Sequence, residues 1–325
     1  MSWSEHTPSE PGGFQSPKAI ERSVDGVVDL ATADLTGNGR VDVLSASLRD
    51  DVVAWYKNEG DGTFSAPRPL DVAADGASAV RAADFDRDDD VDVVAGAVLD
   101  QTVTWYENQG DGTFSDGTPI ATNVQGLETL HIADLDGDEV PDVLVVAYKD
   151  STITRYEPKA ASADSLRFVE QPAVGTGLDD PIDVHTADLF GNGRQDLLVG
   201  MAGTRPLVLF QNEGVRDGAT SPFGDKRVMT HTVETVEDIE TGDLDGDGDP
   251  DILAAAFASD AVVWIENRGG GSFAPPQPVA TNIPNVLSLD VADVDRDGDL
   301  DIITASQADN TVGWLENRLS EGRPR

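Results

Sequence analysis

Six nine-residue stretches concentrate acidic residues at a regular spacing along the chain. They begin at Asp34, Asp84, Asp134, Asp188, Asp243 and Asp293, and read DLTGNGRVD, DFDRDDDVD, DLDGDEVPD, DLFGNGRQD, DLDGDGDPD and DVDRDGDLD. Side-chain oxygens at positions 1, 3, 5 and 9 of a tight loop converge on one point. Position 7 adds a backbone carbonyl, and Gly at position 6 allows the sharp turn. Such a donor set suits Ca²⁺, which takes about six to eight hard oxygens in flexible geometry.

The best-formed sets are the fifth and sixth. The fifth offers Asp243, Asp245, Asp247 and Asp251 with the carbonyl of Asp249; the sixth offers Asp293, Asp295, Asp297 and Asp301 with that of Asp299. The second has Asp84, Asp86, Asp88, Asp92 and the carbonyl of Asp90, but Asp89 at the turn. The third has Asp134, Asp136, Asp138, Asp142 and the carbonyl of Val140, but Glu139 there. Both should bind more weakly. The first uses Asp34, Thr36, Asn38 and Asp42 with the carbonyl of Arg40, and the fourth Asp188, Asn192 and Asp196 with that of Arg194. Phe190 at position 3 cannot ligate, so the fourth site is expected to be the weakest of up to six, one per repeat. A single such loop could equally be an Asp-Gly turn between strands, but six in register argue for metal. The sites are read as structural, each ion tying one strand to the next.

The loops recur at spacings of 50, 50, 54, 55 and 50 residues, within a larger repeat. Each follows a short alternating segment ending in a small residue (LATA, VRAA, LHIA, VHTA, IETG, LDVA) and precedes a β-branched run such as DVLSAS or DIITAS. A third strand reads VVAWYKN, VTWYEN, ITRYEP, LVLFQN, VVWIEN and TVGWLEN, and a fourth follows the GDGTF-type turn. Four short antiparallel strands per unit of about 50 residues describe a β-propeller blade. The expected fold is all-β: six four-stranded blades over residues 14–317, with an extension at 1–13 and a tail at 318–325. The sixth unit stops at Trp314-Leu315-Glu316-Asn317 without a fourth strand. The segment from Gly12 to Ile20 is the candidate to complete it, closing a ring and removing an exposed edge. Longer connections from Pro158 to Phe168 and from Asn212 to Phe223 account for the wider spacings.

The pattern DxDGDGxxD, strand, WxEN-GDGxF resembles the FG-GAP and VCBS repeats of calcium-binding β-propellers. These occur in integrin α-subunits, certain fungal lectins, and some carbohydrate-active lyases and dehydratases. The resemblance runs from Phe14 to Asn317 and implies the propeller, the calcium sites and an extracellular setting. It fixes no activity. Seven-bladed rings are the commoner form in these families, and the six units here depart from it.

The 325 residues include 61 Asp and Glu against 22 Lys and Arg, a formal net charge of −39, which excludes nucleic acid as a partner. Six bound Ca²⁺ would still leave −27, and only five cations are Lys. The surface therefore resembles that of proteins from salt-rich habitats, where ionic strength screens self-repulsion. No stretch is long and apolar enough for a membrane span, no export signal is visible, and without Cys there are no disulfides or thiolate sites.

The residues left for function lie on the strand preceding each loop. Three residues before the first ligand stand Ala31, Arg81, His131, His185, Glu240 and Asp290; five before it stand Asp29, Ala79, Thr129, Asp183, Asp238 and Ser288. By the propeller analogy these line the mouth of a central channel. His131 and His185 with Glu240 or Asp183 could hold a transition metal or act as acid and base on a sugar. The alternative is a hydrated polar plug in which Arg81 and the acids satisfy one another. The repeated Trp55, Trp105, Trp264 and Trp314 read as packing between blades, with Arg155 and Leu209 in that slot in the third and fourth units. No GxSxG, HExxH or phosphate-binding Gly loop is present. The expectation is a monomeric, extracellular, lectin-like module for carbohydrate. The alternatives are a sugar lyase or dehydratase using His131, His185 and Glu240, and a protein-adhesion platform using loop residues such as Arg49, Tyr148, Lys149 and Phe257.

Overall fold

The computed structural model describes residues 1–3, 18–162, 165–203, 205–214 and 221–318. Strands dominate, and no α-helix occurs among the described residues; no helix is long and apolar enough to cross a membrane. The chain falls into two units, Met1–Ile132 with Pro158–Val169, and Ala133–Glu157 with Glu170–Arg325.

In the first unit two four-stranded antiparallel sheets follow chain order. One comprises Val27–Ala33, Asp42–Ser47, Val52–Tyr56 and Arg68–Asp71, the other Ala77–Ala83, Asp92–Ala97, Thr102–Tyr106 and Thr118–Thr122. The second unit holds the fourth sheet (Pro181–Ala187, Asp196–Met201, Leu207–Phe210, Arg227–Thr230) and the fifth (Val236–Gly242, Asp251–Ala256, Ala261–Ile265, Gln277–Thr281). The sixth sheet has three strands, Val286–Ala292, Asp301–Ser306 and Thr311–Leu315. The division between the units runs through the third repeat, where Asp142–Ala147 pairs with Thr152–Ser162, and Gly175–Thr176 pairs with the start of the latter.

The register explains how each acidic loop is held. The residue before position 1 pairs with position 9, as in Ala33↔Asp42, Ala83↔Asp92, Ala187↔Asp196, Gly242↔Asp251 and Ala292↔Asp301. The nonapeptide is thus the hairpin connection between the first two strands of a sheet. Those first strands carry a bulge near their start, as between Val27 and Asp29 or Val236 and Asp238, which re-aims the polar residues there.

Second strands are buried on both faces, so they read as continuous apolar runs such as DVLVVA and DILAAA. The apolar residue at position 2 anchors each loop in the core: Leu35, Phe85, Leu135, Leu189 and Leu244 are essentially buried. Leu35, Trp55, Val80, Val93 and Tyr106 form one cluster joining the first two sheets. Trp55 is 2% exposed, but Trp314, in the same slot of the three-stranded sixth sheet, is 49% exposed. Of the segment expected to complete that sheet, residues 12–17 lie outside the described residues; Lys18–Ala19 pairs antiparallel with Ser2–Trp3.

Candidate metal centres and a ligand cleft

Within each loop the carboxylates at positions 1 and 9 are fixed by backbone donors. Asp243 accepts the N–H of Gly246 (2.8 Å) and Asp247 (3.0 Å) on Oδ1 and that of Gly248 (3.0 Å) on Oδ2. Asp251, fully buried, accepts from Leu244 (3.2 Å) and Asn267 (2.8 Å). With these two held, the acids at positions 1, 3 and 5 draw together. In Asp84/Asp86/Asp88, Asp134/Asp136/Asp138, Asp243/Asp245/Asp247 and Asp293/Asp295/Asp297, one carboxylate oxygen of each residue lies within 4.8 Å of the others. These four groups are the ones expected from spacing.

The first loop lacks such a triad: Asn38 donates its side-chain amide to Thr36. In the fourth, Phe190 turns to apolar packing edge-on to Phe273, with ring centroids 6.2 Å apart. The backbone has two left-handed positions per loop. Position 6 is one, and Asp89 (φ 72°) and Glu139 (φ 71°) adopt it without glycine. Position 4 is the second, with Gly137 at 82°, Gly246 at 76°, Arg87 at 65° and Arg296 at 67°. Sequence reasoning passed over it, although Gly37, Gly137, Gly191 and Gly246 marked it.

The electrostatics are those of crowded, partly buried acids. Burial pushes Asp92 and Asp142 up to about 7, and Asp196 and Asp251 to about 6, opposed by backbone N–H donors and, at Asp142, first by the charge of Arg155. Asp86 rises to about 6 through burial and then the charge of Asp88. A divalent cation at the converging oxygens would favour every ionised form.

A structural role missed in the sequence belongs to the Asn ending the third strand. Asn108, Asn212, Asn267 and Asn317 each donate their side-chain amide to the position-2 carbonyl of the preceding loop (Leu35, Leu135, Leu189 and Leu244, at 2.7–3.0 Å). Each also reaches the position-8 carbonyl of its own loop, and its N–H supports the position-9 Asp at 2.8 Å. One side chain therefore stitches adjacent sheets at the acidic loops. Its presence in five of six repeats, at Asn58, Asn108, Asn212, Asn267 and Asn317, was the available signal.

The first-strand polar residues separate by function. Arg81 pairs with Asp29 at 2.5 Å and donates to Thr129 at 3.3 Å, and Asp29 also accepts the N–H of Val80. Asp183 accepts the N–H of Ile239 (3.1 Å) and Asp238 that of Leu289 (2.6 Å), so both carboxylates link neighbouring sheets. Asp290 accepts from the adjacent Val291. His185 contacts Thr241 Oγ1 at 3.0 Å and lies 4.0 Å from Glu240. Burial lowers the pKa of His185, while burial and then the charges of Asp238 and Asp290 raise Glu240 to about 7. The structure thus brings His185 and Glu240 together in the second unit, whereas His131 belongs to the first.

A cleft of about 400 Å³ opens between the first two sheets. The buried Trp55 and Tyr106 border it, and its polar lining includes Arg68, Asp71 and Asp116. The Arg68 guanidinium sits 4.8 Å from the centre of the Trp55 ring, and the Tyr106 hydroxyl donates to Asp71 at 2.6 Å. Trp55, read from the sequence as packing between blades, is buried in the cluster joining the first two sheets and also borders this cleft.

The FG-GAP-like repeat model matches residues 34–95, 94–145, 134–199, 188–254 and 243–304. Among curated proteins nothing matches the chain. Among solved structures the chain is similar to an Agrocybe aegerita lectin that recognises non-reducing terminal N-acetylglucosamine (TM-score 0.61, 18% identity, 91% of this chain and 82% of that one). It is also similar to a streptogramin B lyase (TM-score 0.56, 12% identity, 92% and 86%) and to the virginiamycin B lyase of Staphylococcus aureus (TM-score 0.52, 11% identity, 88% and 88%). At these identities the likeness is one of fold. With its repeats matched over most of its length and built as successive antiparallel sheets, the chain belongs to the FG-GAP-like repeat family and folds as a β-propeller.

Proposed function

We propose that this protein is a calcium-stabilised, six-bladed propeller acting outside the cell as a carbohydrate-binding module, its last blade completed by the N-terminal segment. The Asp triads fit Ca²⁺ by donor chemistry: hard oxygens only, several per loop, with buried position-9 carboxylates behind them. Calcium would neutralise the crowded acids and fix the loop ends of the sheets, leaving recognition to other residues.

The observation that carries the carbohydrate reading is the cleft at Arg68. Its Arg68, Asp71 and Asp116 side chains offer hydroxyl-rich ligands paired hydrogen bonds from guanidinium and carboxylate groups. The similar Agrocybe lectin makes terminal N-acetylglucosamine the first ligand to try. On a glycan array in Ca²⁺, the wild-type chain should retain a defined set of glycans, and Arg68→Ala and Asp71→Asn should each weaken that binding at least about tenfold, as expected for losing a charged hydrogen bond. Equal binding by both variants would remove the cleft as the site.

A second reading, a sugar lyase or dehydratase, is favoured by one observation. Glu240 near neutrality and a neutral His185, 4.0 Å apart, form a proton donor and acceptor. His185→Ala would then abolish turnover without lowering glycan binding at Arg68.

A further inference from the structure

The third metal loop differs from the others in what faces its carboxylates. In the second and fifth repeats the third strand carries Trp105 or Trp264, and a backbone N–H from Asn108 or Asn267 reaches the Oδ1 oxygen of the position-9 carboxylate, Asp92 or Asp251, at 2.8 Å. In the third repeat that donor is gone. Pro158 replaces the Asn and has no N–H, while Arg155 replaces the Trp. The Arg155 side chain, 7% exposed, puts Nε 3.3 Å from Asp142 Oδ1, the oxygen served by Asn elsewhere. Its guanidinium tip then extends into the metal loop, 3.1 Å from Asp136 Oδ2 and 3.5 Å from Glu157 Oε2. The fourth repeat is the internal control: Leu209 fills the Trp slot there, but Asn212 keeps its N–H on Asp196 at 2.8 Å.

We propose that Arg155 is the resident cation of the third loop, so that this loop folds without metal and takes calcium more weakly than the second, fifth and sixth. Asp142 is buried and would be left uncompensated if the guanidinium swung out, so Arg155 is held in place. Fixed there, its positive charge both relieves the repulsion that calcium relieves elsewhere and opposes a second cation at the same oxygens. The inference rests on the calcium part of the proposed function and is independent of the carbohydrate ligand.

The test is calorimetric titration of the chelator-stripped full chain with Ca²⁺, together with melting in EDTA and in Ca²⁺. Asp245→Asn should remove one tightly bound ion. Asp136→Asn should leave the number of tight ions unchanged while lowering the melting temperature in EDTA, because Arg155 loses a partner. Arg155→Met should add one tight ion, tighten calcium at the third loop by about tenfold or more, and widen the melting difference between EDTA and Ca²⁺. If Arg155→Met folds only in Ca²⁺, the guanidinium was standing in for the ion, and the proposal holds. Should that variant fail to fold in either condition, the two Asp variants decide. Loss of a tight ion in Asp136→Asn, as in Asp245→Asn, overturns it. So does an Arg155→Met titration identical to wild type. If Asp245→Asn also changes nothing, the calcium reading itself falls, and the proposal falls with it.

Discussion

Stripping the protein with EDTA is expected to lower its melting temperature by about 10 °C. An ion that binds only the folded chain stabilises it by about 2.7 kcal/mol when present at about a hundred times its dissociation constant. Three loops, the second, fifth and sixth, combine an Asp triad with a buried position-9 Asp and carry Trp in the slot that Arg155 fills in the third repeat. Their summed contribution of about 8 kcal/mol, set against the unfolding entropy of a chain this long, gives a shift of that order. Asp245→Ala should lose roughly a third of the calcium-dependent shift, because it breaks one triad. Thr36→Ala should lose much less, because the first loop has only two carboxylates and Asn38 already donates to Thr36. Scanning calorimetry of the three proteins in EDTA and in Ca²⁺ checks both statements. Equal shifts for the two variants would contradict the assignment of ligands.

The second large effect concerns Asn267, independent of metal. Asn267→Ala takes the donor from two carbonyls, Leu189 and Pro250, and the acceptor from the Gly269 N–H; Asn267 and its bond to Leu189 are buried, the other two bonds partly so. Each buried group left unsatisfied costs about 1–3 kcal/mol, so a loss of about 3–5 kcal/mol is expected. Asn58→Ala serves as the comparison. Asn58 is partly exposed and reaches Val41 of its own loop, and its loss should cost about half as much. Denaturant unfolding in EDTA isolates the effect from calcium. Costs that match at the two positions would mean that the link to the preceding sheet contributes nothing.

What the sequence disclosed follows from what repeats in one dimension. Acids at alternate positions, β-branched runs and the GDGTF turn recur at a fixed spacing. They placed the hairpin loops and strands, and the four triads lie where spacing put them. What it concealed depends on neighbours far along the chain. Asp183 and Asp238 looked like channel-facing ligands because their partners, the N–H groups of Ile239 and Leu289, are more than 50 residues away. Asn108 and Asn267 stood in the sequence only as the last residue of the third-strand pattern, because their use comes from a carbonyl in the previous repeat. Arg155 read as a lapse in the Trp pattern. Only the folded sheet shows that its length carries the charge past Asp142 to Asp136.

In the proposed reading these loops are fastened from behind by Asn or, in the third repeat, by Arg155, and are closed in front by a cation. The most direct test of that claim is a count of calcium ions bound by the chelator-stripped chain at low salt, by calorimetric titration with metal analysis of the dialysed complex. About three tightly held ions, assigned to the second, fifth and sixth loops, with weaker uptake beyond them, is the predicted result. A chain that takes up no calcium, and melts at the same temperature with and without it, would contradict the account.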